Sequence, residues 1–395
     1  MYSRKILTPV KAFLTKVEKL FSTKRTWKYA SLSKTDQAED AAEKVDWKRR
    51  GKWPFYQRCL VFLLLGSILT GLTGILIFVG AKYSHAKGSG TNQVTSINEN
   101  PFQPAKSCQY PSVRHEWRTL SKGEQFEYIR AVKCLTHRPS RVRTNGTLYD
   151  DFPWIHATSG SFSHHAAAFL SWHRYFIQVF EDTLREDCGY QGTLVYWDWS
   201  LDWNNLTGAP VWDPETGFGG DGDMAGEITI GEGRCVTDGP FAGHINMFYG
   251  PKDHPHCLSR GFTDGEGHYG TIPGESVHPE RIEDILSQED YESFFFALEK
   301  GPHDTIPNGV RGDFFSFTAP YDPVFYLHHT QLDRLWWLWQ ERNPRERHFE
   351  YTGPASMGSD HMASVYDQLP MSGFVEPLRV TDIMNTESDF LCYRY

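Results

Sequence analysis

The chain has 395 residues, of which 39% are hydrophobic and 15% aromatic, and it carries a formal net charge of −9. The aromatic content argues for a folded protein and against a disordered one. Residues 1–58 hold 15 Lys and Arg against 6 Asp and Glu, whereas the remainder hold 25 against 43. Because the basic excess is confined to one end, we expect no nucleic-acid partner.

One uncharged apolar run, residues 59–81, separates the basic segment from the acidic remainder. A helix of this length spans about 30 Å, the thickness of the hydrocarbon layer of a membrane. By the positive-inside rule, the pattern predicts a cytoplasmic tail (1–58), a single transmembrane helix (59–81) and a polar linker (82–107). The domain of residues 108–395 is then predicted to be lumenal or extracellular. A cleaved signal peptide fits less well, because 58 residues precede the run.

The cysteines agree with a lumenal domain. Of seven cysteines, one lies in the apolar run, and the other six are Cys108, Cys134, Cys188, Cys235, Cys257 and Cys392. An even number suits disulfide bonds, but about 15 pairings of six cysteines are conceivable and the sequence selects none. Asn145 and Asn205 each begin an Asn-x-Thr sequon, so both are predicted glycosylation sites.

Helical patterns dominate the domain. We predict a capped helix after Ser121 and further helices at about 166–186, 289–300 and 324–342. Between them we predict a turn-rich segment over 144–152, which leads to His156, and long ordered loops over 204–281. The predicted fold class is therefore mainly α, an antiparallel helix bundle with long irregular loops and one N-terminal transmembrane helix.

Three histidines lie before or within the helix at about 166–186, namely His156, His164 and His173. Imidazole suits copper, zinc, iron and nickel, and helix bundles commonly hold such ions. Nine residues separate His164 from His173, which would put them on opposite faces of one continuous helix. We therefore expect His164 in the segment that enters the helix and His156 in the preceding turn. Asp198 is predicted to hold an imidazole N–H behind this site.

A second group comprises His303, His328 and His329, the last two on the helix at about 324–342. Asp333 follows His329 by four residues and so shares its helix face. We expect Asp333 to orient either a ligand imidazole or a neighbouring arginine. The two groups together predict a binuclear metal site between helices.

Two motifs give these groups a family resemblance. Residues 164–174 end in F-L-x-W-H-R, and residues 322–334 read D-P-x-F-x-L-H-H-x-x-x-D-R. Over about residues 108–395 the chain resembles tyrosinase-type (type 3, binuclear copper) proteins of ascomycete fungi. The resemblance implies two copper ions, with dioxygen oxidising a phenol or catechol, either a small secondary-metabolite intermediate or a tyrosine within a peptide.

The resemblance also implies ligands. The first copper would be held by His156, His164 and His173. The second would be held by His303 and His329, and His328 is the lesser candidate, because the family's ligand is the second histidine of the final pair.

The chain departs from the family pattern in three places. The family usually has H-x-x-x-H at the start of the second copper motif, but here Pro307 follows His303 by four residues. The second site then has two histidines, is weak, or recruits another histidine, for which His254, His256, His268 and His278 are the candidates. Phe162 replaces the cysteine that many fungal members link to the histidine two residues later, so no thioether is expected. Asp304 stands where the family often has an asparagine. In the family this asparagine and an acidic residue hold the water molecule that deprotonates the substrate, and the sequence does not identify the acidic residue.

The sequence is also compatible with two other functions. The first is a zinc-dependent, hemocyanin-like enzyme of the cyclopenase kind, which would catalyse a rearrangement or elimination with the metal as Lewis acid. The second is a non-catalytic binder of oxygen or metal. Metal identity and catechol turnover separate both from the tyrosinase-type oxidoreductase.

Overall fold

The computed structural model describes residues 108–395. The predicted tail, transmembrane helix and linker, residues 1–107, lie outside the described residues. Within 108–395 there is no helix that is both long enough and apolar enough to cross a membrane.

The described part is rich in helices joined by irregular segments. The helices are α1 (Lys122–Leu135), α2 (Leu148–Ser163), α3 (Ala168–Cys188), α4 (Pro279–Leu286), α5 (Tyr291–Leu298), a π-helix (Glu299–His303), α6 (Asp304–Val310), α7 (Val324–Glu341) and α8 (Pro344–Arg347). The strands are β1 (Ser112–Val113), β2 (His115–Glu116), β3 (Val195–Tyr196), β4 (Arg234–Cys235), β5 (Ile245–Tyr249), β6 (Lys252–Cys257), β7 (Ser259–Arg260), β8 (Gln368–Leu369), β9 (Leu378–Arg379) and β10 (Tyr393–Arg394).

Helix α1 begins as the sequence predicts. The Ser121 side chain accepts from the backbone N–H of Glu124, whose carboxylate accepts from the Ser121 backbone in return. This reciprocal capping box satisfies two N–H groups that the first helical turn leaves without a partner.

Helix α2 corrects the prediction of a turn-rich approach over 144–152. Thr147 and Asp150 form a second capping box, so the helix begins at Leu148 and continues through Pro153 to Ser163. A proline inside a helix removes one hydrogen bond and is a common signal for a break. Here the capping box and a buried helix face outweigh that loss.

Helices α3 and α7 lie close to their predicted bounds and form the centre of the domain. Helix α3 ends at Cys188, and the capping residue Gly189 has a φ of 65°, the left-handed conformation that glycine adopts without strain. Across the interface, the rings of Phe180 on α3 and Tyr326 on α7 stack at 3.5 Å, and Phe152 on α2 meets Phe180 edge-on at 5.0 Å. Buried aromatic rings thus bring the three histidine-bearing helices together.

The segment 204–281 contains little regular structure, in keeping with the predicted loops. Its main element is the antiparallel hairpin of β5 and β6, in which Ile245 pairs with Cys257. The remaining strands pair two residues at a time: β1 with β10, β2 with β3, β4 with β7, and β8 with β9.

All six cysteines of the domain form disulfides. The pairs are Cys108–Cys392, Cys134–Cys188 and Cys235–Cys257. The first joins positions 284 residues apart, so it links the beginning of the described chain to the residue before its last strand.

Candidate metal centre

The first histidine group comes from three backbone settings. His156 lies within α2, His164 is the extended residue that ends α2 (φ −126°), and His173 lies on α3. Their ligand atoms all lie within 4.8 Å of one another, and the two Nε2 atoms of His156 and His173 are 3.2 Å apart. The position of His164 outside α3 is as predicted. The expectation that His156 lies in a turn is wrong, because α2 begins eight residues before it.

Backbone carbonyls orient all three rings of this group. The Nδ1 atom of His156 lies 2.6 Å from the Phe317 carbonyl, that of His164 lies 3.1 Å from the Gly160 carbonyl, and that of His173 lies 2.7 Å from the Phe169 carbonyl. A carbonyl oxygen only accepts, so each Nδ1 carries the proton. Each Nε2 therefore keeps its lone pair for a metal ion.

The second group consists of His303, at the end of the π-helix, with His328 and His329 on α7. Their ligand atoms also lie within 4.8 Å of one another. The rings of His173 and His329 stack at 4.2 Å and 14°, which joins the two groups face to face. Single π-helical turns frequently occur at functional sites.

The second group contains buried nitrogens with no hydrogen-bond partner. His328 is fully buried, and neither of its ring nitrogens is satisfied; the Nδ1 of His329 is also unpartnered. Only His303 has an oriented Nδ1, 3.1 Å from the Asp304 carboxylate. An unpartnered buried polar group costs about 1–3 kcal/mol, and a metal ion that binds one nitrogen of each ring would offset part of this cost.

The structure thus places His328, the lesser ligand candidate of the sequence analysis, in one group with His303 and His329. The four histidines considered as substitutes lie elsewhere. His256 pairs with Asp313, His268 pairs with Asp264, His278 caps α4, and the His254 ring lies beside that of His256.

Burial keeps these imidazoles neutral. It lowers the pKa of His156 to about 4, despite the opposing hydrogen bond to Phe317. Burial, and then the neighbouring histidines, lower the pKa values of His164, His173, His328 and His329 well below 6.5. Neutral imidazole is the form that binds metal, so the environment favours ligation near pH 7.

Comparisons with known proteins agree with this geometry. The family described as the common central domain of tyrosinase matches residues 146–342. The tyrosinase-like protein phomQ1 of Diaporthe leptostromiformis is 40% identical over 401 aligned positions, which cover 94% of this chain and 99% of that protein. The tyrosinase ustQ of Aspergillus flavus is 44% identical, covering 83% of this chain and 89% of ustQ.

The chain belongs to the tyrosinase family. A polyphenol oxidase of Thermothelomyces thermophila has the same fold, with a TM-score of 0.63 and 26% identity over 72% of this chain and 88% of that one. The protein is accordingly an oxidoreductase of this family, with a helix-rich tyrosinase-like fold.

Two acidic residues, Asp198 and Asp333, were predicted to support the histidines of this site, and the structure shows different partners for each. Asp198 accepts from Ser200, from Gln331 at 2.9 Å and from Arg334 at 3.3 Å, so its predicted bond to an imidazole is wrong. Asp333 receives the Nε–H of Arg174 at 2.5 Å, which is the arginine alternative of the prediction.

Sequence reasoning missed Glu299, which begins the π-helix that ends at His303. Its side chain is fully buried; Oε1 accepts the backbone N–H of His165 at 2.8 Å, and Oε2 has no partner. Glu299 therefore connects the two groups: it holds His165, the neighbour of His164, and it begins the π-helix that ends at His303. The spacing of four residues before His303 is the signal that could have identified it.

Phe317 was also missed. Its carbonyl orients His156, and its ring lies 5.2 Å from the His164 ring while remaining 45% exposed. Gly160 makes room for it, since a Cβ there would lie 2.9 Å from the ring. Phe317 thus covers the first group on the side that faces solvent.

Proposed function

We propose that the protein is a copper-dependent oxidase that uses dioxygen to oxidise a phenol or catechol. The observation that carries the proposal is the meeting of two groups of three buried histidines through the His173–His329 stack at 4.2 Å. His156, His164 and His173 would hold one copper ion, and His303, His328 and His329 the other. Neutral imidazoles suit copper, although zinc also accepts them.

Bound copper would supply the activation of dioxygen and accept electrons from the substrate. The protein's own residues would bind and orient the phenol. The exposed ring of Phe317 offers a face for stacking beside His164. The unpartnered Oε2 of Glu299 would take the phenolic proton, directly or through a water molecule.

The proposed substrate is either a small secondary-metabolite phenol or a tyrosine within a peptide. One relative, the N-acetyl-6-hydroxytryptophan oxidase ivoB of Emericella nidulans, acts by its name on a hydroxylated aromatic amino acid; it is 30% identical over 74% of this chain. The 45% exposure of Phe317 supports access for a phenol ring that is attached to a larger molecule.

We further propose that residues 59–81 anchor the protein in a membrane with the domain on the lumenal or extracellular side. Three disulfides support an oxidising compartment, because such bonds are rare in the cytosol. Asn145 and Asn205 are exposed, as glycosylation requires. Glycosylation at both remains a prediction, which loss of mass on glycosidase treatment would test.

The decisive experiment measures bound metal and oxygen consumption with a catechol, using the purified full chain. We expect two copper ions per chain, catechol-dependent oxygen uptake, and loss of both in His173→Ala but not in His115→Ala, which removes an exposed histidine. One zinc ion with no oxygen uptake would contradict the proposal and support the cyclopenase-like alternative. Two copper ions that bind oxygen reversibly without catechol turnover would support a non-catalytic binder.

A further inference from the structure

The two histidine groups differ in how far their rings are oriented by the protein. In the first group, backbone carbonyls hold the Nδ1 atoms of all three rings at 2.6–3.1 Å. In the second, only the Nδ1 of His303 has an acceptor, the Asp304 carboxylate. The rings of His328 and His329 lack such acceptors. Partners behind a ligand typically change metal affinity by about 10–100-fold each, so this difference has a measurable consequence.

The third histidine of the second group comes from an unexpected position in the chain. His303 and Pro307 are four residues apart, so a histidine at 307 would share the helix side of His303, but proline has no donor atom. His328 supplies the third imidazole instead, with its ring 5.6 Å from that of His303 and 5.1 Å from that of His329. Two ligands are therefore adjacent on one helix, where side chains diverge by about 100°.

The surroundings of His328 offer no substitute for a metal ion. Apart from the two other histidines of the group, its ring neighbours are Phe314, with ring centroids 5.7 Å apart, and Trp199, at 6.4 Å. Aromatic rings exclude water without accepting the imidazole N–H in a normal hydrogen bond. A bound metal ion would therefore give one of its ring nitrogens a partner that the folded protein does not supply.

We propose that the two sites fill in a fixed order: the first group binds an ion as folded, and the second binds later and more weakly because His328 and His329 are oriented only by the ion. His328 serves as the ligand that Pro307 excludes. The inference rests on the proposed function for the presence of two metal sites, but it concerns ligation and not turnover.

The first test is equilibrium dialysis of the metal-free full chain against zinc and, separately, copper, with metal content measured at each free concentration. We expect two steps separated by at least about 10-fold in concentration. His328→Ala should keep the first step and move the second to more than about 100-fold higher concentration. His165→Ala is the matched control, since it removes the other histidine that adjoins a ligand, and should leave both steps unchanged.

A second test begins with the thermal stability of the metal-free protein. Removing an unpartnered buried imidazole should not destabilise the metal-free protein, so His328→Leu should melt at the same temperature as the unmodified chain or about 2–4 °C higher. The same variant should lose the additional thermal stability that a second equivalent of zinc gives the unmodified chain.

The outcomes are separable. A single two-ion step, retention of both steps in His328→Ala, or a metal-free His328→Leu that melts well below the unmodified chain would each overturn the inference. Two ordered steps with zinc and copper but no catechol oxidation would uphold it and overturn the proposed function.

Discussion

Glu299 illustrates how a single residue links the two halves of the site. It holds the backbone N–H of His165, the neighbour of His164, and it begins the π-helix that ends at His303. One carboxylate oxygen is committed to that backbone contact, and the other is buried without a partner. A residue with one structural and one unpaired oxygen can accept a proton without losing its position.

Glu299→Gln keeps the acceptor for the His165 N–H but removes the proton acceptor. We expect kcat/KM for a simple phenol at pH 7 to fall by about 100-fold. The loss should be smaller for a more acidic substrate such as 4-nitrocatechol, which ionises with less help. Oxygen uptake with both substrates measures the difference, and Glu292→Gln, an exposed position on α5, is the control. Equal losses with both substrates, or a fall in bound metal, would contradict the role.

Phe317→Ala removes the ring over the first group and leaves the carbonyl that orients His156. Metal content should be unchanged. The ratio of kcat/KM for a tyrosine-containing peptide to that for 4-methylcatechol should rise by about 10-fold, because a wider opening admits the bulkier substrate. Phe349→Ala, at a 61% exposed phenylalanine, should leave the ratio unchanged. An unchanged ratio in Phe317→Ala would remove Phe317 from substrate selection.

Most ligand residues could be predicted from the sequence, because a cluster of histidines on aromatic helices is itself the signal. His328 was only the lesser candidate, because the sequence does not show that its ring lies as near to His303 as that of His329 does, at 5.6 and 5.4 Å. Glu299 and Phe317 were missed for a related reason: their contacts join residues more than 100 positions apart.

At the scale of elements, a buried ion pair ties α3 to α7 beside the ligands. Arg174 follows His173, Asp333 follows His329 by one turn, and their side chains meet at 2.5 Å with no solvent exposure of the arginine. Although burial opposes ionisation of Asp333, Arg174 and Arg114 lower its pKa. The pair therefore sets the position of one ligand-bearing helix against the other.

Asp333→Asn should leave Arg174 buried without a countercharge, whereas Arg114 keeps its ion pair with Glu181. We expect the free energy of unfolding to fall by about 3 kcal/mol, measured by urea denaturation. The control is Glu283→Gln, which breaks the exposed pair with Arg342 and should leave the urea midpoint unchanged. A midpoint for Asp333→Asn equal to that of the unmodified chain would show that the ion pair does not hold the helices.

The bounds of α3 and α7 could be predicted to within about two residues, because each has a long apolar pattern and α3 has a glycine stop. Helix α2 could not, since residues 144–152 were interpreted as rich in turns. The Thr147–Asp150 capping box was the stronger signal. The three disulfide pairs depend on the tertiary fold and lay beyond any sequence pattern.

At the scale of the whole molecule, the buried histidines make the metal-free protein sensitive to acid. The pKa of His156 is lowered to about 4, against about 6.5 in an unfolded chain. Below pH 6.5 the unfolded state therefore takes up a proton that the folded state refuses, and stability falls until about pH 4. His156 alone accounts for about 3 kcal/mol across that window.

We expect the urea midpoint of the metal-free chain to fall steadily between pH 6.5 and 5, above the range in which ordinary carboxylates titrate. The pKa values of His164, His173, His328 and His329 are lowered in the same direction and steepen the fall. His156→Gln should show a shallower dependence on pH. A midpoint that does not change over this range would contradict the burial of neutral imidazoles.

The contacts of Asp333 and Cys108 with residues 392–395 affect the order in which the site is assembled during synthesis. The hydroxyls of Tyr393 and Tyr395 donate to Asp333, and Cys392 is the partner of Cys108. At ribosomal speed, the 284 residues between those cysteines take on the order of tens of seconds to make. Throughout that interval Cys108 lacks the partner that it has in the structure, and Asp333 lacks the two tyrosine hydroxyls. We therefore expect metal to enter the two proposed sites only after residues 392–395 have been made.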